Sequence, residues 1–213
     1  MTIVRRMVLA VLLIAAVSGL VLWRLGGSSG ELADAPSSVA EAREVEYFDD
    51  VSSMTKSSDL VVVGSVSEVS PGRVLGSEDE GDQFQLRSVT LVVEQVLAGG
   101  GVKPGEGLVL EEEGWDPESG EGYIVNGVAW SQVDDSGVYF LHLKTDPGPP
   151  RYRLVSSDGR VVEGPDGLVA SGAAEVGLDG GSHSDAPTDG PWADWGLDTM
   201  TLSDLVARIA KGA

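Results

Sequence analysis

The histidines are the first residues to consider for chemistry, and the chain has only two, His142 and His183. His183 lies in the segment GGSHSDAPTDG, next to serine and aspartate. Neighbours on one loop diverge, whereas a catalytic triad needs side chains that converge from a rigid scaffold. His142 shares a predicted strand face with Val138 and Phe140, which favours a partly buried imidazole. Neither histidine therefore predicts catalysis.

Motifs with a defined chemistry are missing from the sequence. We find no nucleophile elbow between a strand and a helix, phosphate-binding glycine loop, H-E-x-x-H helix or dinucleotide fingerprint, and the GGSSG at 26–30 lies in a predicted tether. There is no cysteine, which excludes disulfides, thiolate metal sites and lipoprotein acylation. We predict that the protein is not an enzyme and has no cofactor and no catalytic or metal residues. A hydrolase without recognisable motifs is the weaker alternative.

Acidic clusters are the next candidates, at 77–82 (SEDEGD), at 111–121 (EEEGWDPESGE) and at Asp134 with Asp135. Calcium prefers several carboxylate oxygens, yet none of these runs has the ligand spacing of the twelve-residue calcium loop. Solvated acidic loops are the preferred interpretation, and weak divalent cation binding is the alternative.

Two tryptophans, Trp192 and Trp195, lie three residues apart in a Gly- and Asp-rich segment. Exposed indoles stack on the sugar rings of neutral glycans. Because exposed tryptophan is unusual, the preferred interpretation is that both residues pack against the core together with a C-terminal helix.

The charge of the chain restricts its partners. It has 34 acidic and 14 basic residues, a formal net charge of −20. Beyond residue 30 there are 11 basic residues and all 34 acidic ones, which gives −23 for that part. Such a surface repels nucleic acid and anionic lipid. Cations, basic proteins and neutral glycans remain as partner classes.

An uncharged run of seventeen residues, 7–23, follows Arg5 and Arg6 and ends at Trp23. Its length as a helix is about 26 Å, close to the thickness of a hydrocarbon core. The arginines favour a cytoplasmic N-terminus at residues 1–6 and a domain outside the membrane. We therefore expect a single-pass signal anchor in the cell membrane, in contact with the lipid bilayer. The alternative is a cleaved signal peptide and a secreted protein.

The rest of the chain divides by composition into a flexible tether at 24–44, a β-barrel domain at 45–170 and a Gly/Asp-rich linker at 171–200. Residues 201–213 are predicted to form a C-terminal amphipathic helix, capped by Thr201.

Within the barrel domain, alternating and β-branched patterns predict strands at 60–69, 84–97, 108–113 and 137–144. Residues 151–163 are predicted to form a hairpin with its turn at Asp158 and Gly159. Gly64 predicts a bulge in the first long strand. The loop between the first two strands is predicted at 73–83, and one short helix is predicted from Tyr47, Phe48, Val51 and Met54.

These features predict a mainly β fold, a small barrel of five or six OB-like strands with one short N-terminal helix and a C-terminal helix, preceded by one transmembrane helix. The pieces SSDLVVVGSVSEV, VTLVVEQVLAGG and GVYFLHLK, within about residues 45–165, resemble the netrin-like OB-fold module of tissue inhibitors of metalloproteinases. The family's cysteines are absent, so the resemblance implies a fold and a binding face and does not imply inhibition.

We expect a membrane-anchored extracytoplasmic binding module that is not an enzyme and that recognises an unknown protein or glycan of the envelope or extracellular space. A structural or accessory envelope protein without a ligand is the alternative. The sequence does not distinguish oligomeric states.

Overall fold

The computed structural model describes residues 36–40, 46–80, 82–171, 175–176, 182–183, 191–192 and 194–212. All of these belong to one compact unit, 32–213. The predicted membrane span at 7–23 lies outside the described residues. Within them, no helix has both the length and the apolar character needed to cross a bilayer.

The fold is mainly β, as predicted. The strands are β1 (Pro36–Ala40), β2 (Leu60–Leu75), β3 (Phe84–Gly99), β4 (Gly107–Trp115), β5 (Gly122–Val125), β6 (Ser136–Leu143), β7 (Tyr152–Leu154), β8 (Arg160–Gly164), β9 (Gly167–Ala170), β10 (Glu175–Val176) and β11 (Ser182–His183). The helices are α1 (Val51–Ser57) and α2 (Leu202–Gly212), with short 3₁₀ turns at Glu78–Glu80 and Leu197–Thr199.

Five of these strands close into a barrel. β2 pairs antiparallel with β3 and with β6, β3 pairs with β4, and β6 pairs with β7. A single parallel pair, Leu110 with Tyr152, joins β4 to β7 and completes the ring. All five strands contribute apolar side chains to one cluster, which fills the barrel: Leu60, Val62, Val66, Val89, Leu91, Val93, Leu108, Leu110, Tyr139, Leu141 and Tyr152.

A second core covers the outside of β2 and β6. Val61, Val63, Val138 and Phe140 point away from the barrel interior and pack against both helices, together with Trp192. Both faces of β2 are therefore buried near its start, which explains why the sequence reads LVVV there without a polar alternate.

The C-terminal helix is confirmed. The Asp204 amide donates to Thr201 Oγ1 at 3.2 Å, and the Thr201 amide reaches Asp204 Oδ2 at 3.4 Å, so the cap is reciprocal. Leu205 and Ile209 are buried in the outer core. The predicted short helix is present, but it begins only at Val51, after the capping residue Asp50.

The predicted bulge at Gly64 is confirmed. The register between β2 and β3 shifts between Val63 and Gly64. A Cβ on Gly64 would lie 2.7 Å from the Val92 carbonyl oxygen, so only glycine allows β3 to approach this closely.

The first long strand extends further than predicted, to Leu75, so Arg73 to Leu75 belong to β2 rather than to a loop. β6 pairs with β2 only as far as Ser65, and beyond Val66 no described strand pairs with that edge of β2. Proline is tolerated at such an edge, and the register with β3 shifts between Pro71 and Val74.

The prediction of a hairpin at 151–163 is wrong. β7 and β8 do not pair with each other, since both pair with β6, at different positions along it. The residues between them form a bulge held by Phe140, whose amide donates to the Gly159 carbonyl and whose carbonyl accepts from the Val155 amide. Neither Asp158 nor Gly159 has a positive φ. The turn residues interrupt one edge of β6 instead of reversing the chain.

Five further strands were not predicted: β1, β5, β9 and the antiparallel pair β10 and β11, which lies in the segment predicted to be a linker at 171–200. β5 pairs with β4 at one position and in parallel with β1, and β9 pairs with β8. β1 lies in the segment whose composition indicated a tether, and its Ser37 hydroxyl donates to the Gly122 carbonyl at 3.2 Å.

Candidate binding cleft

A cleft of about 390 Å³ opens where β4 and β7 diverge beyond the pair Leu110 and Tyr152. One side is residues 111–113 of β4, and the opposite side is residues 153–157. The remaining wall is mostly apolar, with Glu46 at the rim: Ile124, Val125, Asn126, Val128, Ala129 and Trp130. This volume lies within the range of small-ligand pockets.

The cleft meets β4 along its edge. Three consecutive residues, 111–113, line it, although successive side chains of a strand point to opposite faces. β4 pairs with β3 on its other side throughout this stretch. On the cleft side, its pairs with described residues are Leu110 with Tyr152 and Trp115 with Gly122. Between these two positions, no described strand pairs with this edge of β4.

Glu111 lies at the β7 end of the cleft inside a cluster of cations. Arg73 donates to both of its carboxylate oxygens, at 2.8 and 2.9 Å, Lys144 Nζ lies 2.8 Å away and Arg151 Nε 3.3 Å away. The side chain of Glu111 is only 3% exposed. Burial opposes its ionisation, but the hydrogen bonds from Arg73 and Lys144 outweigh this effect and lower its pKa.

Glu112 points the other way, into a buried network at the end of the barrel. Its carboxylate accepts from Arg87 at 2.8 Å, from Arg160 at 3.1 Å and from the hydroxyl and amide of Ser131 at 2.5 and 3.1 Å. Arg160 also donates to Ser131 Oγ and to the Ala129 carbonyl. Burial lowers the pKa of Arg87, and Glu112 opposes that effect.

Two tryptophans enclose Arg87 in this network. Its guanidinium carbon lies 4.4 Å from the ring centre of Trp130 and 5.9 Å from that of Trp115. Trp130 Nε1 donates to the Tyr123 carbonyl at 3.1 Å. The network therefore fixes the residues after β5 against β4 and forms the floor of the cleft.

The β4–β5 end of the cleft is acidic. Glu113 is exposed and has no ion-pair partner in the described part of the chain. Asp116 follows, in a turn where its carboxylate accepts from the Ser119 amide at 2.7 Å. Burial, together with Glu113 and Asp116, raises the pKa of Tyr123 to about 12. Of these groups, Glu113 lines the cleft itself.

The acidic run 111–121 is thus only partly a solvated loop. That prediction is wrong for Glu111 and Glu112, because both are buried against basic residues distant in sequence. Glu111 contacts Arg73, Lys144 and Arg151, Glu112 contacts Arg87 and Arg160, and Arg153 contacts the third cleft glutamate, Glu46. These are six of the fourteen lysines and arginines of the chain. Nothing local marked them, because each contacts a glutamate far along the sequence.

Of the remaining acidic candidates, Asp135 lies within electrostatic reach of Arg87, Glu112 and Arg160. Asp82 accepts from the Ser77 amide at 2.6 Å, and Asp135 accepts from the Gln132 amide at 2.7 Å. Burial raises the pKa of Asp135. Asp134 is exposed, with a φ of 75°. Among the described residues, no three His, Asp or Glu side chains are grouped to hold a metal ion.

His142 is partly buried, as predicted, and contacts two carboxylates. Its Nε2 lies 3.1 Å from Glu46 and its Nδ1 lies 3.2 Å from Asp59. Glu46 also accepts from the Ser57 hydroxyl at 2.9 Å. The backbone of His183 lies in β11, and its side chain is outside the described part of the structure.

The packing predicted for Trp192 is confirmed. Trp192 is 1% exposed, and its Nε1 donates to the Asp158 carbonyl at 2.9 Å. Trp195 is half-buried and packs edge-on against Trp192, with the Arg208 guanidinium 4.0 Å from its ring centre. Both indoles thus fasten the C-terminal segment to the barrel.

In comparisons with family models, curated proteins and solved structures, no match to this chain was found.

Proposed function

We propose that this protein is a membrane-anchored extracytoplasmic binding module that is not an enzyme and that takes a segment of an envelope or extracellular protein into the cleft between β4 and β7. The main support for this proposal is the cleft itself, which has a strand edge with no described partner strand, an apolar wall and charged groups at both ends. These are the features of a site that recognises rather than transforms its ligand.

The ionisable groups at the cleft support binding over catalysis. Glu111 and Glu112 are held by arginine, lysine and serine, which leaves them unsuited to exchange protons with a substrate. Near His142, the order of contacts is Ser57, Glu46, His142 and Asp59. A nucleophilic serine needs the histidine beside it to accept its proton, whereas here the carboxylate lies between them.

The proposed fold type is an OB-like barrel of netrin-like character. In chain order the barrel strands are β2, β3, β4, β6 and β7, and the third and fifth are parallel neighbours. This closed order supports an OB-like arrangement, and the C-terminal helix packs outside the barrel.

The proposed location rests on the sequence. The uncharged run at 7–23, with two arginines before it, supports a signal anchor whose domain lies outside the membrane. The strongly acidic composition of the rest supports an exposed domain that does not adhere to anionic lipid.

Site-directed photo-crosslinking in membranes tests this proposal. A benzoylphenylalanine at Val128, in the cleft wall, is compared with one at Gln95, which is exposed on β3. We expect a defined protein adduct from Val128 only, and we expect it in the membrane fraction. The mass of this protein should show that residues 1–35 are still present, as a signal anchor requires. Equal adducts at both positions, or none at Val128, would count against the cleft and favour a structural spacer without a ligand.

A further inference from the structure

The two sides of the cleft are both strand edges. β4 pairs with no described strand along its cleft edge at 111–114, and residues 153–157 run beside it after the parallel pair Leu110 and Tyr152. Residues 153–155 are held on their other side by β6. The cleft is therefore a gap in a sheet, bounded by backbone that is able to pair with one more strand.

On the β7 side, some of the carbonyl groups that an added strand would use already accept hydrogen bonds from a side chain. Arg153 turns back so that its Nη1 donates to the Leu154 carbonyl at 2.9 Å and to the Val155 carbonyl at 3.4 Å. For the cleft edge of β4, no described group plays that role. β4 is therefore the side on which an incoming strand would make its main-chain hydrogen bonds.

The two ends of the cleft differ in charge. At the β7 end, four cations (Arg73, Lys144, Arg151 and Arg153) balance four carboxylates (Glu111, Asp146, Glu46 and Asp59), and Arg153 is the cation that lines the cleft. Arg153 is 47% exposed. At the other end, Glu113 is followed by Asp116, Glu118 and Glu121, and no lysine or arginine occurs between residues 104 and 143.

The direction of pairing determines which charge order in the ligand complements the cleft. β4 runs from the β7 end of the cleft at Leu110 to the acidic end at Trp115. Antiparallel pairing is slightly more stable than parallel pairing, and an antiparallel strand would run from the acidic end to the β7 end. Its N-terminal part would lie beside Glu113 and its C-terminal part beside Arg153. Complementary charges are then a lysine or arginine first and a carboxylate later.

From these observations we infer that the ligand of the cleft is an extended peptide segment, which pairs antiparallel with β4, with a basic residue near Glu113 and an acidic side chain near Arg153. This inference rests on the proposed function and gives the partner its chemistry. Main-chain hydrogen bonds to β4 supply affinity, and the apolar wall at Ile124 and Val128 receives alternate side chains of the segment.

The test uses the full chain in detergent micelles and dye-labelled peptides with blocked termini. The forward probe is Thr-Lys-Val-Thr-Val-Glu-Thr, and the reversed probe exchanges its lysine and glutamate. A third probe has the forward order with N-methylated backbone amides, which cannot pair with a strand edge. Fluorescence anisotropy gives the affinities, and hydrogen exchange reports on the amides of 111–114.

We expect the forward probe to bind about fivefold more tightly than the reversed one, since two exposed ion pairs are worth about 0.5 kcal/mol each. The N-methylated probe should fail to bind, and exchange at 111–114 should slow with the forward probe. In the double variant Glu113→Lys with Arg153→Glu, the preference should invert. Equal binding of both charge orders, equal binding of the N-methylated probe or no binding at millimolar concentration would each overturn the inference.

Two comparisons keep the outcomes separate. The wild-type comparison of the three probes does not depend on whether the double variant folds. If the Val128 crosslink forms but the probes fail, the proposed function stands and the peptide chemistry is wrong. If the crosslink also fails, the proposed function is itself wrong.

Discussion

At the residue scale, Glu112 is the shared acceptor of the buried network beside the cleft. It is 7% exposed, and it neutralises two arginines whose side chains are 4% and 3% exposed. Removing one partner of such a group leaves uncompensated charge in a medium that solvates it poorly. Arg87, Arg160 and Ser131 all donate to this carboxylate, so its loss affects every one of them.

We predict that Glu112→Gln lowers the free energy of unfolding by about 3–5 kcal/mol, because Arg87 and Arg160 lose their shared counter-charge. The matched control is Glu113→Gln, the next residue on the same strand, which is exposed and should change stability by less than about 0.5 kcal/mol. Urea unfolding at pH 7 measures both. Similar losses for the two variants would contradict this account.

The glutamate sites could not be predicted from sequence because their partners are remote. The run EEE predicts an acidic, solvated surface by composition alone. Its burial depends on Arg73, Arg87 and Arg160, which lie 38, 25 and 48 residues from the glutamates that they contact. Only the closed barrel brings these groups together.

At the element scale, the C-terminal segment attaches to the barrel through Trp192 rather than through helix α2 alone. The indole fills the outer core beside Phe140, with ring centres 5.8 Å apart, and bonds to the bulge between β7 and β8. Trp195 lies farther out and contacts Arg208 on α2. The two tryptophans should therefore contribute different amounts to the free energy of unfolding.

We predict that Trp192→Ala costs about 3–5 kcal/mol through the cavity that it leaves, whereas Trp195→Ala costs about 1 kcal/mol through a lost cation–π contact and partial exposure. Thermal unfolding of the two variants, followed by circular dichroism, distinguishes them. If the Trp192→Ala protein were as stable as wild type, the core role of Trp192 would be contradicted and a role in ligand binding would become the better explanation.

Local patterns predicted the elements that depend on local chemistry. β2, β3, β6 and α2 follow from alternation, β-branched runs and a capping residue. The predicted hairpin at 151–163 failed because a Ser-Asp-Gly turn is equally compatible with a bulge, and only the position of β6 decides between them. β5 and β9 are four residues each, too short to show a period.

At the scale of the whole molecule, the barrel closes at a weak point. One backbone pair joins β4 to β7, and the cations around Glu111 fasten the same place from β2, from the end of β6 and from the residue before β7. Closure is therefore partly electrostatic. Its contribution depends on the ionisation of Glu111.

Acid should weaken this closure. The pKa of Glu111 is lowered in the folded state, so its contribution is fully present above the unfolded value of 4.5 and is lost as the pH falls through the folded value. We predict that Glu111→Gln costs about 2 kcal/mol at pH 7 and that this difference from wild type shrinks below pH 4.5.

Urea unfolding at pH 7, 5 and 3.5 measures this difference. Glu94→Gln, at an exposed position of β3, is the control and should follow the wild-type profile. A Glu111→Gln penalty that is the same at all three values would show that the carboxylate acts through shape and not through charge.

The order of the strands also determines which strand pairs can form first while the chain is being synthesised. β2 and β3 are adjacent in sequence and can pair early, but β1 has its partner in β5, and β4 waits for Tyr152 before the ring closes. Trp192 arrives later still. Contacts this distant slow folding. The ring therefore cannot close before Tyr152 has been synthesised, and the outer core is completed only when Trp192 follows.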